Sequence, residues 1–233
     1  MHPVRKETSV RDMFSIVAPY IDPLDTAFSL GLCHIWRRRL VSTIRRGEHI
    51  LDLCTGTGEV AKLLVKRIGR EGTLTCLDFC EEMLEVAKRK LNPIPVNVSF
   101  VVSDVREMRF PENSFDAITV AFGMRNVPDT EVALKKILSA LRPGGRFLCL
   151  ELTKPTKRWF LPLYKWYTFK FMPAVAAIVT KSEVPYTYLP RSIDVFYPPG
   201  EFTRLMKDCG FTEVTSRSMS IGVATLYRAV KPG

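Results

Sequence analysis

No two cysteines in this chain are spaced C-x-x-C, and its three histidines lie far from most of its six cysteines. That spacing excludes the common zinc and iron–sulfur ligand patterns, and no metal is expected. There is no run of about 20 apolar residues of the kind that spans a bilayer. The longest candidate, near Pro173–Val179, is too short. The opening MHPVRKETSV lacks the apolar h-region of an export signal. Cys54 in ILDLC and Cys149 in FLCLEL sit inside apolar runs, the pattern of buried reduced thiols. Together these features lead us to expect a cytoplasmic chain. No internal repeat, low-complexity tract, N-P-P-Y tetrapeptide of amino-group methylation or recognisable RNA-binding module is present, so no nucleic acid is expected. Acid is scarce relative to base: 34 Lys and Arg against 24 Asp and Glu give a formal charge of +10. That excess suits an anionic small molecule or an anionic membrane, or is simply a soluble basic surface.

What is present describes a packed domain. With 233 residues, 46% of them hydrophobic, the chain can bury one sizeable α/β core, and two full domains would be cramped. Between His49 and Leu152 strand and helix patterns alternate. HILDLC, TLTCLD, VNVSFVVSD, FDAITVAFG and RFLCLEL read as strands. EVAKLLVKRIG, EEMLEVAKRKL and TEVALKKILSALRPGG read as helices, the last running to a glycine stop. Buried strands separated by helices imply a mostly parallel, Rossmann-like sheet with helices on both faces. GEFTRLMKDCGF then reads as a helix, and TEVTSRSMS and IGVATLYRAV as two antiparallel strands. Two regions lie outside this pattern: residues 1–45, a helical lead-in with a basic end, and residues 153–198, a long aromatic and basic stretch.

The sharpest motif is LDLCTGTGEVA, Leu51 to Ala61. Gly56 and Gly58 allow a tight turn from strand to helix, where a ligand approaches the main chain. A G-x-G-x-x-A turn alone also fits a nicotinamide dinucleotide. Three carboxylates tilt the reading. Asp52 at the end of the first strand can face the amino group of a methionine moiety. Asp78, ending the second strand, stands where a carboxylate hydrogen-bonds ribose hydroxyls. Asp104, ending the third, can accept the exocyclic amine of adenine. One carboxylate after each of three successive strands suits a cationic amino acid joined to a nucleoside, S-adenosyl-L-methionine. Taken singly, each could be a turn former or helix cap. Asp116, at the start of the fourth strand, reads as structural. A nicotinamide oxidoreductase would need a Tyr/Lys or His/Asp pair in a hydride-transfer context, and none is evident. A non-enzymatic, membrane-associated protein that has kept the fold but lost its chemistry sits poorly with the intact Asp78 and glycine turn.

The sequence resembles the ubiquinone/menaquinone-biosynthesis C-methyltransferase family almost from end to end. LDLCTGTGEV, LDFCEEML and LRPGGRFLCLEL look like class I methyltransferases in general. AFGMRNVPD (Ala121–Asp129), LELTKP (Leu150–Pro155), YTYLPRSIDVF (Tyr186–Phe196) and IGVATLYRAVKPG are more specific. The resemblance implies the seven-stranded class I methyltransferase fold and donor contacts at Thr57, Asp78 and the Asp104–Val105 pair. It also implies a substrate pocket roofed by the N-terminal segment and the 153–198 insertion, and methyl transfer to a ring carbon of a demethylated polyprenyl quinol, demethylmenaquinol first, with the benzoquinol intermediate of ubiquinone biosynthesis as the alternative. The family's N-terminal pattern is matched at Asp22, Ser29 and Trp36. Ile21, Leu24 and Asp25 stand where it has Tyr, Met and Asn, and Cys33 stands where it has His.

Methyl transfer to carbon requires the neighbouring ring hydroxyl to lose its proton, helped by a base or by a cation that stabilises the phenolate. Arg125 in GMRNV is the candidate cation, because the loop after the fourth strand should face the glycine turn, with Ala121 to Gly123 lying beside the donor. A salt bridge to a structural acid is its alternative role. Asn126 could position the ring oxygen, and His34 and Tyr188 are weaker base candidates. Trp159, Phe160, Tyr164, Trp166, Tyr167, Phe169 and Phe171 alternate with Lys157, Arg158, Lys165 and Lys170. That mixture suits peripheral contact with an anionic membrane from which a prenylated quinol is drawn. Completion of the core or a homodimer contact would use the same residues.

Overall fold

The computed structural model describes residues 14–15, 17–92, 94, 96–155, 157–175 and 188–233. The opening decapeptide, the Pro173–Val179 run beyond Val175, and Tyr186 and Thr187 of YTYLPRSIDVF lie outside the described residues. Seven strands form one sheet: β1 (His49–Leu53), β2 (Thr73–Asp78), β3 (Asn97–Val102), β4 (Phe115–Ala121), β5 (Leu141–Leu152), β6 (Thr212–Met219) and β7 (Ala224–Val230). Their order is β3-β2-β1-β4-β5-β7-β6. The first five are parallel, and β7 runs antiparallel between β5 and β6. Central strands such as β1 are buried along nearly their whole length, as expected when helices cover both faces. The edge strand β6 is polar and mostly exposed, which discourages pairing with another chain.

The chain steps outward from β1 to β2 and β3, then returns to the other side of β1 for β4. That reversal opens a crevice at the carboxyl ends of β1 and β4, the usual ligand position in such sheets.

Helix α1 (Ile21–Phe28) and α2 (Leu32–Leu40) precede the sheet; α3 (Ala61–Ile68), α4 (Glu81–Leu91) and α5 (Thr130–Ala140) connect its strands. In α3, Ala61, Leu64, Val65 and Ile68 are buried, the i, i+3, i+4, i+7 stripe of an amphipathic helix. Alternate strand residues feed two separate cores. Leu51 and Leu53 pack with α5 and with α8 (Pro199–Asp208). Ile50 packs with α2, α3 and α4. The period-2 alternation of strand side chains thus divides helices between the two faces.

One sequence expectation is corrected. Helix α5 ends at Ala140, and LRPGG belongs to the start of β5 instead of continuing the helix to its glycines. Pro143 disfavours a helical Arg142 before it, so the chain turns extended at Leu141. Pairing with β4 then shifts register between Phe115 and Ala117, where the extra residues bulge. Asp116 is structural as read: it accepts the His49 amide at 2.8 Å and Arg142 at 2.5 Å, tying the starts of β1, β4 and β5 together.

Residues 153–198 contribute α6 (Leu161–Trp166), continued by a wider π turn at Tyr167–Phe171, and α7 (Tyr188–Val195). No helix among the described residues is long and apolar enough to cross a membrane.

Candidate active site

The glycine turn is built by β1 and its neighbours. Cross-strand pairing sets Asp52 opposite Thr119. The Thr119 hydroxyl donates to Asp52 Oδ1 and the Thr55 hydroxyl to Oδ2, both at 2.6 Å. Asp52 is only 1% exposed. Burial pushes its carboxyl up to about 6, with the two hydroxyls opposing the rise and the Asp78 charge adding to it. Cys54 then takes a left-handed backbone, φ 50°. Gly123, at the end of β4, makes room for it, since a Cβ there would lie 2.4 Å from Cys54 Cβ. The two loops therefore interlock at the crevice. Burial raises the Cys54 thiol well above its ordinary value, and the charges of Asp78 and Glu151 add to that, so it remains protonated.

Asp78 holds the turn from β2. Its Oδ2 accepts the Gly56 amide at 2.8 Å and its Oδ1 the Cys80 amide at 2.9 Å. Burial nevertheless raises its carboxyl above the usual range. Asp104 differs. Burial pushes it upward, but Arg106 grips both oxygens, at 3.0 and 2.9 Å, and holds it below normal. Gly58 serves packing: φ is +85°, and a Cβ would stand 3.0 Å from the Ala87 Cβ of α4. Thr57 donates to Asp22 Oδ1 of α1 at 2.5 Å. Asp22 also meets Lys90, which reaches Glu59 at 2.8 Å. This chain of polar contacts fastens the N-terminal helix over the turn.

These residues surround a cavity of about 940 Å³. Asp52, Gly56, Thr57, Asp78, Asp104, Val105, Ala121, Arg125 and Asn126 all line it, whereas Gly58 does not. In a chain of net charge +10, this lining inverts the balance, with seven carboxylates against four guanidiniums among the described residues. Such a wall favours a cationic ligand.

Arg125 sits in a short 3₁₀ turn after β4. Its Nη1 donates to Glu151 Oε1 at 2.7 Å, and its backbone amide donates to Oε2 at 3.1 Å. Glu151 is fully buried and Arg125 nearly so. The carbonyl of Phe122 and the Ser192 hydroxyl take further donors of the guanidinium. Nη2 has no acceptor among the described residues. Asn126 Oδ1 accepts the Tyr188 hydroxyl at 2.9 Å, which leaves the amide NH₂ as a donor. Burial raises the Tyr188 phenol despite Arg125 nearby, so it stays protonated and acts as a donor. His34 is exposed, lines neither cavity and contacts Thr26 at 3.1 Å. Its position removes it as a base.

A second cavity of about 560 Å³ adjoins the first. It is walled by apolar side chains of α1, α2, α6 and α7, among them Phe28, Trp36, Phe160, Tyr164 and Ile193. Among the described residues the two cavities share Asp25, Phe122 and Arg125, and Asp25 and Arg125 are the only charged ones lining the second. The aromatic insertion divides accordingly. Phe160, Tyr164 and Tyr167 face this cavity, while Trp159 is 71% exposed and Trp166 57%. Lys157, Arg158, Lys165 and Lys170 are exposed as well.

Sequence reading missed three contributors. Glu151 was concealed inside the strand pattern FLCLEL, although LELTKP contains it. Asp25 appeared only as a departure from a family pattern. Ser192 gave no signal beyond its place in YTYLPRSIDVF.

The profile of the ubiE/COQ5 methyltransferase family matches residues 2–231. The chain is 36% identical over 233 residues to the ubiquinone/menaquinone biosynthesis C-methyltransferase UbiE of Rickettsia akari, covering 97% of this chain and 94% of the relative. It is 36% identical over 232 residues to the enzyme of the same name from Pseudomonas fluorescens, covering 98% and 91%. Among solved structures, a SAM-dependent methyltransferase from Aquifex aeolicus superposes with a TM-score of 0.62 at 19% identity, covering 84% of this chain and 89% of that one. Phosphoethanolamine N-methyltransferase 2 of Haemonchus contortus, in complex with S-adenosyl-L-methionine, gives 0.60 at 17% identity, covering 84% and 51%. These two likenesses bear on the fold alone.

Proposed function

Because this chain belongs to the ubiE/COQ5 methyltransferase family, we propose that it transfers a methyl group from S-adenosyl-L-methionine to a ring carbon of a demethylated polyprenyl quinol, demethylmenaquinol first. One observation carries the reading: an acid-lined cavity and an apolar cavity meet at a wall formed by Asp25, Phe122 and Arg125. The first cavity suits a cationic nucleoside in charge and, at about 940 Å³, in size. The second suits an aromatic ring with an isoprenoid tail.

S-adenosyl-L-methionine supplies an electrophilic methyl on a positively charged sulfur. Asp52 faces its ammonium, Asp78 the ribose hydroxyls and Asp104 with Val105 the adenine, while the Gly56–Thr57 backbone and Ala121 contact it closely. The protein's first task is alignment, since holding two reactants in line can remove roughly 7–11 kcal/mol of the barrier. Arg125 meets the ring oxygen through Nη2 and stabilises its negative charge as it develops. Asn126, fixed by Tyr188, donates its NH₂ to the same region.

We extend the reading to the outer face of α6. Its exposed Trp159, Leu163 and Trp166, with Lys157, Arg158, Lys165 and Lys170, would rest on an anionic bilayer. Phe160 and Tyr164, on the same segment, wall the apolar cavity, so a prenylated ring has a short path inward. The deciding experiment incubates the protein with S-adenosyl-L-methionine and each demethylated quinol, naphthoquinol and benzoquinol, and weighs the products. A gain of one methyl on the naphthoquinol supports the proposal, a gain on the benzoquinol alone reassigns the ring, and no gain on either refutes it.

A further inference from the structure

Among the described residues, Asp25 is the one carboxylate that lines both cavities. Its Oδ2 accepts Arg37 Nη2 at 2.6 Å, and Oδ1 takes no hydrogen bond from any described residue. The side chain is 35% exposed although α1 packs against α2 around it, and both cavities that it lines lie in the crevice. Arg37 is in turn only 8% exposed and lies over the Phe122 ring, 5.5 Å from its centroid, so the pair is held at the wall where the cavities meet. A free carboxylate oxygen at the boundary between donor and acceptor is placed to take a proton.

Resting on the function proposed above, we propose that Asp25 is the general base that removes the hydroxyl proton of the quinol. The balance is as follows. Asp25 Oδ1 takes the O–H proton, and the ring carbon forms its bond to the methyl as the carbon–sulfur bond breaks, leaving the electron pair on sulfur. The ring carbon then loses its hydrogen as a proton to solvent, aromaticity returns, and the phenolate takes its proton back from Asp25. One proton is released per methyl transferred.

The surroundings suit the task. Burial raises the Asp25 carboxyl above its ordinary value; Arg37 of α2 and Arg125 of the loop after β4 oppose the rise, and Asp22, one turn earlier on α1, adds to it. The charges of Asp22 and Arg125 are themselves shared with Lys90 and Glu151. Arg191 and Tyr188 of α7 line the donor cavity with Asp25. A base with a raised value accepts a proton from a phenol more readily than an ordinary carboxylate.

Single-turnover methyl transfer at saturating S-adenosyl-L-methionine, with a short-tailed demethylated naphthoquinol, tests this across pH. The wild type should show an acid limb in its rate. Asp25→Asn should lose about 10²-fold or more, within the usual range for general bases, and lose that limb, with donor affinity unchanged. Arg37→Gln breaks the same ion pair but keeps the carboxylate. It should retain the limb and move it to higher pH, because a cation that favoured the charged form is gone. A purely structural clamp would make the two variants alike and leave the limb where it was, and that result overturns the proposal. If Asp25→Asn fails to fold, an unmoved limb in Arg37→Gln overturns it equally. Absence of methyl transfer by the wild type would instead refute the function itself.

Discussion

Replacing Arg125 by methionine should be costly twice, and the two costs can be measured separately. Glu151 is fully buried and accepts three hydrogen bonds: from Arg125 Nη1 at 2.7 Å, from the Arg125 amide at 3.1 Å and from the Leu152 amide at 2.8 Å. Methionine preserves the two amide bonds and removes the only cation among the described residues that pairs with it. Breaking a buried ion pair by deleting one partner typically costs about 3–5 kcal/mol, because the other charge stays behind. For a domain of this size each kcal/mol lowers the melting temperature by roughly 2–4 °C, so Arg125→Met should melt about 6–20 °C lower. Adding Glu151→Gln removes the stranded charge, and the double variant should recover part of that loss, a coupling on the order of 0.5–3 kcal/mol. The second cost is kinetic. If Arg125 Nη2 stabilises the phenolate, single-turnover methyl transfer should fall about 10²-fold or more in the folded double variant, with donor affinity little changed. Arg125→Lys should recover only part of both, since a point charge cannot replace a planar fork that reaches Glu151, Phe122 and Ser192 together. Calorimetric melting reads the first effect and quenched-flow the second. A melting shift under about 3 °C, or roughly 1 kcal/mol, would refute the ion-pair reasoning. Normal turnover in the folded double variant would leave Arg125 a structural residue.

Three further outcomes are expected. Asp78→Ala should weaken S-adenosyl-L-methionine binding by about 1.5–3 kcal/mol through loss of charge-assisted bonds; unchanged titration calorimetry in a folded variant would remove the ribose assignment. Asp52, raised to about 6 in the folded protein, pairs with an ammonium only when ionised, so donor affinity should fall as pH drops through about 6, and Asp52→Asn should flatten that dependence. The same raised value means that Asp52 favours the folded, ligand-free protein at low pH, a contribution lost as pH rises from about 4 to about 6; a ligand-free protein whose stability climbs over that interval through Asp52 would contradict it. Replacing Trp159, Trp166, Lys165 and Lys170 together should reduce sedimentation with anionic liposomes without altering donor affinity. Equal sedimentation would make that face a contact between copies of the chain.

The sheet and much of the lining of the acid-walled cavity could be read from sequence because their signals are local. A glycine turn after an apolar strand, and an aspartate closing each of the next two strands, depend only on neighbours a few residues away. The wall that the two cavities share could not be read in that way. Glu151 is 26 residues from Arg125, and a single acid in an apolar strand says nothing of its partner until β4 and β5 lie side by side. Asp25 and Arg37 meet only because α1 folds back on α2 at Ser29–Gly31. The aromatic insertion posed a different difficulty. Core filling and surface exposure both call for Trp, Phe and Tyr, and the helix resolves the choice by turning Phe160, Tyr164 and Tyr167 inward and Trp159 and Trp166 outward. The end of α5 was misread because a glycine pair is a conventional stop, while the proline immediately before it had already ended the helix upstream.

The placement of charge bears on how one small domain handles a cationic donor and a lipid-tailed acceptor together. Carboxylates predominate around the first cavity, while the four cations of residues 157–170 project from the outer surface. At the wall between the cavities the pattern becomes two opposed pairs, Asp25 with Arg37 and Arg125 with Glu151. Asp25 and Arg125 line both cavities, Arg37 lines only the first and Glu151 neither, so the shared wall offers both a carboxylate and a cation without a net charge to be desolvated by an apolar ring. A single unpaired charge there would raise the cost of admitting the ring, and two neutral groups would do nothing for a developing phenolate. Neutralising Arg37 or Glu151, neither of which lines the apolar cavity, should therefore affect turnover through Asp25 and Arg125 while leaving the apolar surface of that cavity intact.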